Sequence, residues 1–306
     1  MRDTIIDVLY SHAKHNKDII LITGDLGFGV LDKFSKDFPA QFINAGVSEQ
    51  NMTGMAAGLA LEGKKVFTYS IGNFNTLRCL EQIRNDICYH ELDVTIISVG
   101  GGFSYGQLGM SHFATEDIAI LNSLPNMKIV APSSKKSASI IMKQIINDKG
   151  PYYLRVDKST ADEFTKNTSK YEIGKINLSN IKSDILIFGY GGILKEAYRA
   201  QSILKEKNIF VEVIDLYTIK PIDKSGILKL LNNNSIIITL EEHNYYGGIG
   251  QIISEICLQN SISPKKFYNF CLKDIYPKIV GSQDYLKEYF ELTATHIVKK
   301  IISIFD

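Results

Sequence analysis

Glu49 is the residue in this chain best placed to do acid chemistry. It stands in the run Gly46, Val47, Ser48, Glu49, Gln50, Asn51, directly after a segment at 41–45 that reads as a strand. Residues 53–61 follow without a charge and with Gly54 and Gly58 four apart. An exposed helix would carry Lys and Glu on its outer face, so this spacing predicts a helix buried against other backbone, with Glu49 at its mouth. A carboxyl held where the chain leaves a sheet can retain a proton through desolvation and offer it to a bound heterocycle. On local sequence alone, an acid complementing a helix dipole explains the same residue.

Other residues able to do chemistry follow apolar runs in the same way: Asp25, the segment 70–74, the glycine-rich loop 100–112 and Arg155. Ligands bind open α/β sheets at the carboxyl ends of their strands, so these positions converge on one edge. His112 lies in Gly109, Met110, Ser111, His112, ahead of a helix beginning near Thr115 or Glu116, where a loop histidine can contact hydroxyls or shuttle protons. His243, before Gly247 and Gly248, reads as a turn residue that fixes packing. The loop Gly100, Gly101, Gly102 lacks the Lys-Ser/Thr of a phosphate loop and the spacing of a dinucleotide turn. Gly24, Asp25, Leu26 lacks the third glycine of a magnesium diphosphate motif.

The elements that must position these residues form two blocks of alternating strands and helices. Buried strands are expected at 19–23, 42–45, 66–69, 94–99, 129–131 and 152–156, then at 185–188, 210–214 and 236–240. Helices are expected at 4–14, 50–62, 77–89, 134–147 (Ser133 or Ser134 as N-cap), 193–205, 248–259 and 294–304. This alternation predicts α/β architecture, two doubly wound domains at 1–160 and 183–306, joined by a polar linker at 161–182.

With a net charge of +1 and its Lys and Arg dispersed, the chain shows no footprint for nucleic acid. No apolar run reaches membrane-spanning length, and the charged first ten residues do not read as a signal peptide. Cysteines at 79, 88, 257 and 271 have neither CxxC spacing nor a small secreted framework, which points to reduced thiols in the cytoplasm and argues against structural zinc.

Phe38, Pro39, Phe42 to Gln50 and the Ala56, Ala57, Gly58, Leu59 helix resemble the glutamate segment of the transketolase family. The loop 106–112 resembles that family's glycine and Thr/Ser-His loop. Residues 124–132 resemble its next helix-to-strand passage, and 241–250 a turn of its C-terminal domain. The resemblance covers nearly the whole chain and implies a pyrimidine-binding fold followed by a transketolase C-terminal-domain-like fold. It implies a thiamine diphosphate enzyme that passes a two-carbon ketol unit between sugars or sugar derivatives. Glu49 would hydrogen-bond the pyrimidine nitrogen, Phe74 would stack on the pyrimidine, and Asp25 would lie near cofactor and subunit interface. His112 would contact substrate hydroxyls, Arg155 would contact a sugar phosphate, and Arg78 would assist.

The family's diphosphate-binding domain has no counterpart here. The resemblance therefore implies a separate N-terminal subunit that provides the diphosphate and Mg2+ ligands, an α2β2 assembly, and an interface on residues 53–61. Gly100 and Leu108 stand where transketolases place a phosphate-binding histidine and a substrate-binding aspartate, so a modified or nucleotide-linked sugar enters as a candidate substrate. The β subunit of a 2-oxo-acid dehydrogenase shares the domain pair and the glutamate, a truncated deoxyxylulose-phosphate synthase is a variant of the same idea, and a noncatalytic scaffold is the reading from another class.

Overall fold

The computed structural model describes residues 1–165, 170–178 and 183–304. Its first sheet contains β1 (Ile19–Thr23), β2 (Phe42–Asn44), β3 (Lys65–Ile71), β4 (Val94–Val99), β5 (Lys128–Val130) and β6 (Tyr152–Val156). The second contains β7 (Ile185–Gly189), β8 (Glu212–Asp215), β10 (Ile236–Asn244) and β11 (Lys266–Leu272), while the short β9 (Thr218–Lys220) crosses back to the first. The strand orders are β2-β1-β3-β4-β6-β5-β9 and β11-β10-β7-β8. Every pairing is parallel except β5 with β9. Parallel strands covered on both faces need continuous apolar side chains, and β1, β4 and β6 are buried along their whole length.

Helices α1 (Arg2–Ala13), α2 (Asp32–Asp37), α3 (Glu49–Leu61), α4 (Leu80–Gln82), α5 (Asp117–Asn122) and α6 (Lys135–Asn147) belong to the first block. In the second are α7 (Leu194–Glu206), α8 (Lys224–Leu230), α9 (Ile249–Gln259), α10 (Gln283–Tyr289) and α11 (Ala294–Ile302). α6 starts from Ser134, whose hydroxyl accepts from the Ser137 amide while the Ser137 hydroxyl accepts from the Ser134 amide, a reciprocal cap. One core packs α1, α2 and α6 on one face of the first sheet. A second joins α3 and α5 to α9 and to β7, β8 and β10, so the two blocks share a hydrophobic interior.

One strand of the second block, β9, extends the first sheet beside β5. Part of the expected linker, 166–169 and 179–182, lies outside the described residues. The helix expected at 77–89 is instead a 3₁₀ turn (Leu77–Cys79), the short α4 and a π-helix (Ile83–Cys88). Its irregularity begins where the chain must turn buried Thr76 and Cys79 inward while leaving Arg78 outward.

Candidate active site

Glu49 is the first residue of α3, 2% exposed, and follows directly on the turn after β2. That turn is organised by Asn44, whose Oδ1 accepts from the amides of Asp25 and Gly46 and whose Nδ2 donates to Asp25 Oδ1, all at 3.0 Å. Asn44 thereby ties the ends of β1 and β2 together. Asp25 sits there with a φ of 58°, exposed, one residue from Gly24, at which a Cβ would meet Glu49 Oε1 at 3.4 Å. The left-handed conformation suits an Asp, one of the few side chains that adopt it readily.

Phe74 and Arg78 come from the turn after β3. Buried Asn75 donates to Ile97 O and accepts from Ser98 Oγ, and Thr76 Oγ1 donates to Gly72 O. These bonds lock the turn to β4 and present Phe74 and Arg78 at the sheet edge. Arg78 Nη1 donates to Glu49 Oε2 at 2.7 Å, and its Cζ stands 4.5 Å from the Phe74 ring centroid. On the Phe74 ring, His112 packs edge-on at 5.1 Å and 63°. Glu49, Arg78, Phe74 and His112 thus form one continuous row. The carboxyl read from sequence as standing alone is paired in the structure with the Arg78 guanidinium.

Burial lowers the His112 pKa below its ordinary value, which favours neutral imidazole at pH 7. Its Nδ1 lies 3.0 Å from Ser111 Oγ, and the Tyr105 ring is 6.3 Å away. The 106–112 loop is therefore held among aromatic rings, and Lys158 Nζ stands 3.8 Å from the Tyr105 ring centroid.

Arg155, expected at a sugar phosphate, is instead sealed inside the protein at 2% exposure. Its Nε donates to Asp117 Oδ2 at 2.9 Å and its Nη1 to Asp157 Oδ1 at 3.0 Å. Nη2 reaches the carbonyls of Ala114 and Glu242, at 3.3 and 3.4 Å. Burial works against this charge, but Asp157 and then Asp117 outweigh it and hold the guanidinium well above its ordinary pKa. Two carboxylates already neutralise it, so it has no charge to spare for substrate. Arg78, expected to assist with substrate, does reach the site but is spent on Glu49.

The three glycines at 100–102 make room for this network. A Cβ on Gly100 (φ +97°) would lie 2.2 Å from the Tyr105 ring, on Gly101 2.2 Å from Asp157 Oδ1, and on Gly102 2.4 Å from Glu242 Oε2. Glu242, from β10, accepts from the Phe103 amide at 2.7 Å. His243 accepts at Nε2 from the Ala119 amide at 3.2 Å, a packing role as its turn position suggests.

Residues 53–61 are only half covered. Met52, Thr53, Ala56 and Ala57 are buried, whereas Cβ atoms on Gly54 and Gly58 would meet nothing within 4 Å and Leu61 is 65% exposed. The expected close backbone contact on the glycines is therefore not made within this chain. Sequence reasoning missed Asn44, Tyr105 and the acids around Arg155. Asp157, two residues beyond Arg155 at the same strand end, was the available signal.

For thiamine diphosphate, the buried acid at a helix start beside an aromatic ring fits the pyrimidine portion. Among the described residues no group of three or more His, Cys, Asp or Glu could hold a metal ion.

Two domain profiles match the chain in order. The profile for "Transketolase, pyrimidine binding domain" matches residues 1–162, and that for "Transketolase, C-terminal domain" matches 174–297. A "Putative transketolase C-terminal section" from Methanocaldococcus jannaschii is 35% identical over 305 residues, covering 99% of this chain and 95% of the relative. One of the subunits of an apulose-4-phosphate transketolase from Phocaeicola vulgatus is 36% identical over 263 residues, covering 85% of this chain and 84% of the relative. A solved "Split gene transketolase, inactive beta4 tetramer" superposes with a TM-score of 0.88 at 29% identity, covering 99% of this chain and 97% of that one. Matched by both domain profiles and by relatives along nearly its full length, the chain belongs to the transketolase family, alongside the C-terminal subunits of its split members.

Proposed function

We propose that this chain supplies the pyrimidine-binding half of a two-subunit, thiamine diphosphate-dependent transketolase that moves a two-carbon ketol unit between sugars or sugar derivatives in the cytoplasm. The observation that carries this reading is the buried Glu49 at the start of α3, in line with Phe74 and His112 at the sheet edge. The cofactor, when bound, supplies the electron sink that lets a carbon-carbon bond beside a carbonyl break and re-form. Glu49 would hold the pyrimidine ring nitrogen through a hydrogen bond in which the carboxyl and the ring nitrogen share one proton, and Phe74 would offer the ring on which the heterocycle rests. His112, neutral at pH 7, is available at the loop tip to accept a hydroxyl hydrogen bond from substrate. Asp25 fixes the neighbouring turn.

A partner subunit carrying the diphosphate-binding domain would provide the diphosphate and Mg2+ ligands in an α2β2 assembly. The open glycine face of α3 is the part of this chain that suits close approach by such a partner. Because Arg155 is neutralised internally, the substrate's terminal group is held by other contacts, which favours a modified sugar over an ordinary pentose phosphate. Steady-state rates with xylulose 5-phosphate matching those of an ordinary transketolase would remove that preference.

The test of the main reading is calorimetric binding of thiamine diphosphate and Mg2+ to this chain, to the N-terminal subunit and to their mixture. Tight binding in the mixture alone is expected, with ketol transfer abolished by Glu49→Gln while assembly persists. Unchanged turnover in Glu49→Gln would refute the assignment of the acid, and lipoamide reduction by the mixture would redirect the activity to 2-oxo-acid decarboxylation.

A further inference from the structure

We propose that Arg78 is a placeholder for the cofactor's heterocycle: it occupies Glu49 and Phe74 in this chain and must swing out before the pyrimidine can enter. The inference rests on the thiamine diphosphate reading above and concerns a step that reading leaves open.

Two groups define the heterocycle's seat, and Arg78 engages both. Its Nη1 is bonded to Glu49 Oε2 at 2.7 Å, and its guanidinium carbon is 4.5 Å from the Phe74 centroid. His112 also contacts the ring, at 5.1 Å between centroids and 63° between planes. While Arg78 stays where it is, the part of the Phe74 ring beside Glu49 is taken by its guanidinium. A guanidinium also resembles an aminopyrimidine in the features that matter here. Both are planar and both stack on an aromatic ring, and each places a nitrogen in its own plane beside the carboxyl group of Glu49.

The two members of the pair differ in freedom. Glu49 is 2% exposed and fixed by the helix start, whereas the Arg78 side chain is 45% exposed. Arg78 hangs from a turn whose backbone is held independently, through Thr76, Asn75 and the Cys79 thiol on Phe74 O. Rotation of one long side chain into solvent therefore opens the seat without disturbing the turn. Until then the pair keeps a buried carboxylate from standing unpaired, a state that would be costly.

Displacing Arg78 costs one half-exposed ion pair and one cation-π contact, so its removal should tighten cofactor binding by about three- to thirty-fold. The experiment is calorimetric and stopped-flow binding of thiamine diphosphate with Mg2+ to the two-subunit complex, comparing wild type with Arg78→Gln and Arg78→Lys. Tighter and faster binding by Arg78→Gln, with Arg78→Lys between the two, is the expected result. Equal or weaker binding by Arg78→Gln overturns the inference while leaving the cofactor reading intact, since wild type still binds. No binding by any form overturns the cofactor reading and the inference with it. Should Arg78→Gln fail to fold, the Arg78 Nε–H resonance in the wild-type complex decides. A shift to the solvent-exposed value on cofactor addition supports displacement, and an unmoved resonance refutes it.

Discussion

Replacing Arg155 by Met should be among the most damaging single substitutions in the first sheet. Met keeps the apolar stem of the side chain but not the guanidinium, so Asp117 and Asp157 lose their shared cation at 0% and 4% side-chain exposure. Truncating one member of a buried ion pair costs about 3–5 kcal/mol, because the remaining charges lose their partner in a medium that solvates them poorly. At roughly 2.1 cal/mol/K of unfolding entropy per residue, 306 residues give about 0.64 kcal/mol/K, so the midpoint should fall by about 5–8 °C. Differential scanning calorimetry measures it directly. Lys128→Met is the control: its bond to Asp148 joins side chains 30% and 50% exposed, a class worth about 0–1 kcal/mol. The triple variant Arg155→Met, Asp117→Asn, Asp157→Asn removes all three charges and should recover much of the loss. A drop below about 2 °C for Arg155→Met, or no difference from Lys128→Met, would show that Arg155 is not locked by the two acids and restore it as a free cation.

Two further outcomes follow from groups outside this network. Asp215, at the end of β8, is partly buried, its Oδ2 accepts from Ser133, and its buried Oδ1 has no hydrogen-bond partner among the described residues. Burial raises its pKa from 3.8 to about 7 against the lowering effect of Ser133, so its contribution to stability is full below 3.8 and is lost as pH rises through about 7. Between pH 5 and 7 this amounts to about 2–3 kcal/mol, so thermal midpoints of Asp215→Asn should fall less over that range than those of wild type, and parallel curves would contradict the assignment. Gly100→Ala meets both a φ of +97° and the Tyr105 ring, and should destabilise by about 1–3 kcal/mol while lowering ketol transfer through displacement of the His112 loop. Gly29→Ala, with φ +75° and open space around it, pays the strain alone, and equal effects of the two on turnover would refute the steric account.

Much of this fold was legible because buried parallel strands advertise themselves as continuous apolar runs. β1, β4 and β6 fall at 19–23, 94–99 and 152–156 as read from sequence. β9 was not, since three residues form a strand only because β5 is there to receive them. β11 lies at the edge of its sheet, where intermediate burial weakens the apolar signal. In the site, Glu49, Phe74 and His112 could be found from their places after strands and in a glycine loop. Their electrostatic partners could not. Arg78 pairs with an acid 29 positions earlier, and Arg155 reaches Asp117 across 38 positions and Glu242 across 87. A cation in sequence has no sign of its partner, so Arg155 read as free when two acids already held it.

The second block contributes no residue to the Glu49 row, yet it shapes the loop that completes it. Glu242 holds the Phe103 amide, the Asn244 amide donates to Thr115 O at 2.7 Å, and His243 takes the Ala119 amide. Between these points the Gly102–Ala114 bridge closes the loop that carries Tyr105 and His112. Arg155 binds that closure from beneath, through Ala114 O and Glu242 O together. The three consecutive glycines are thus explained without an anion: each removes a Cβ where the loop passes a ring or a member of the network. Loops that position a reacting group need a rigid frame, because small displacements of the group cost large factors in rate. Here that frame is a buried ion network spanning both blocks, so the C-terminal domain helps to fix where the loop holds His112.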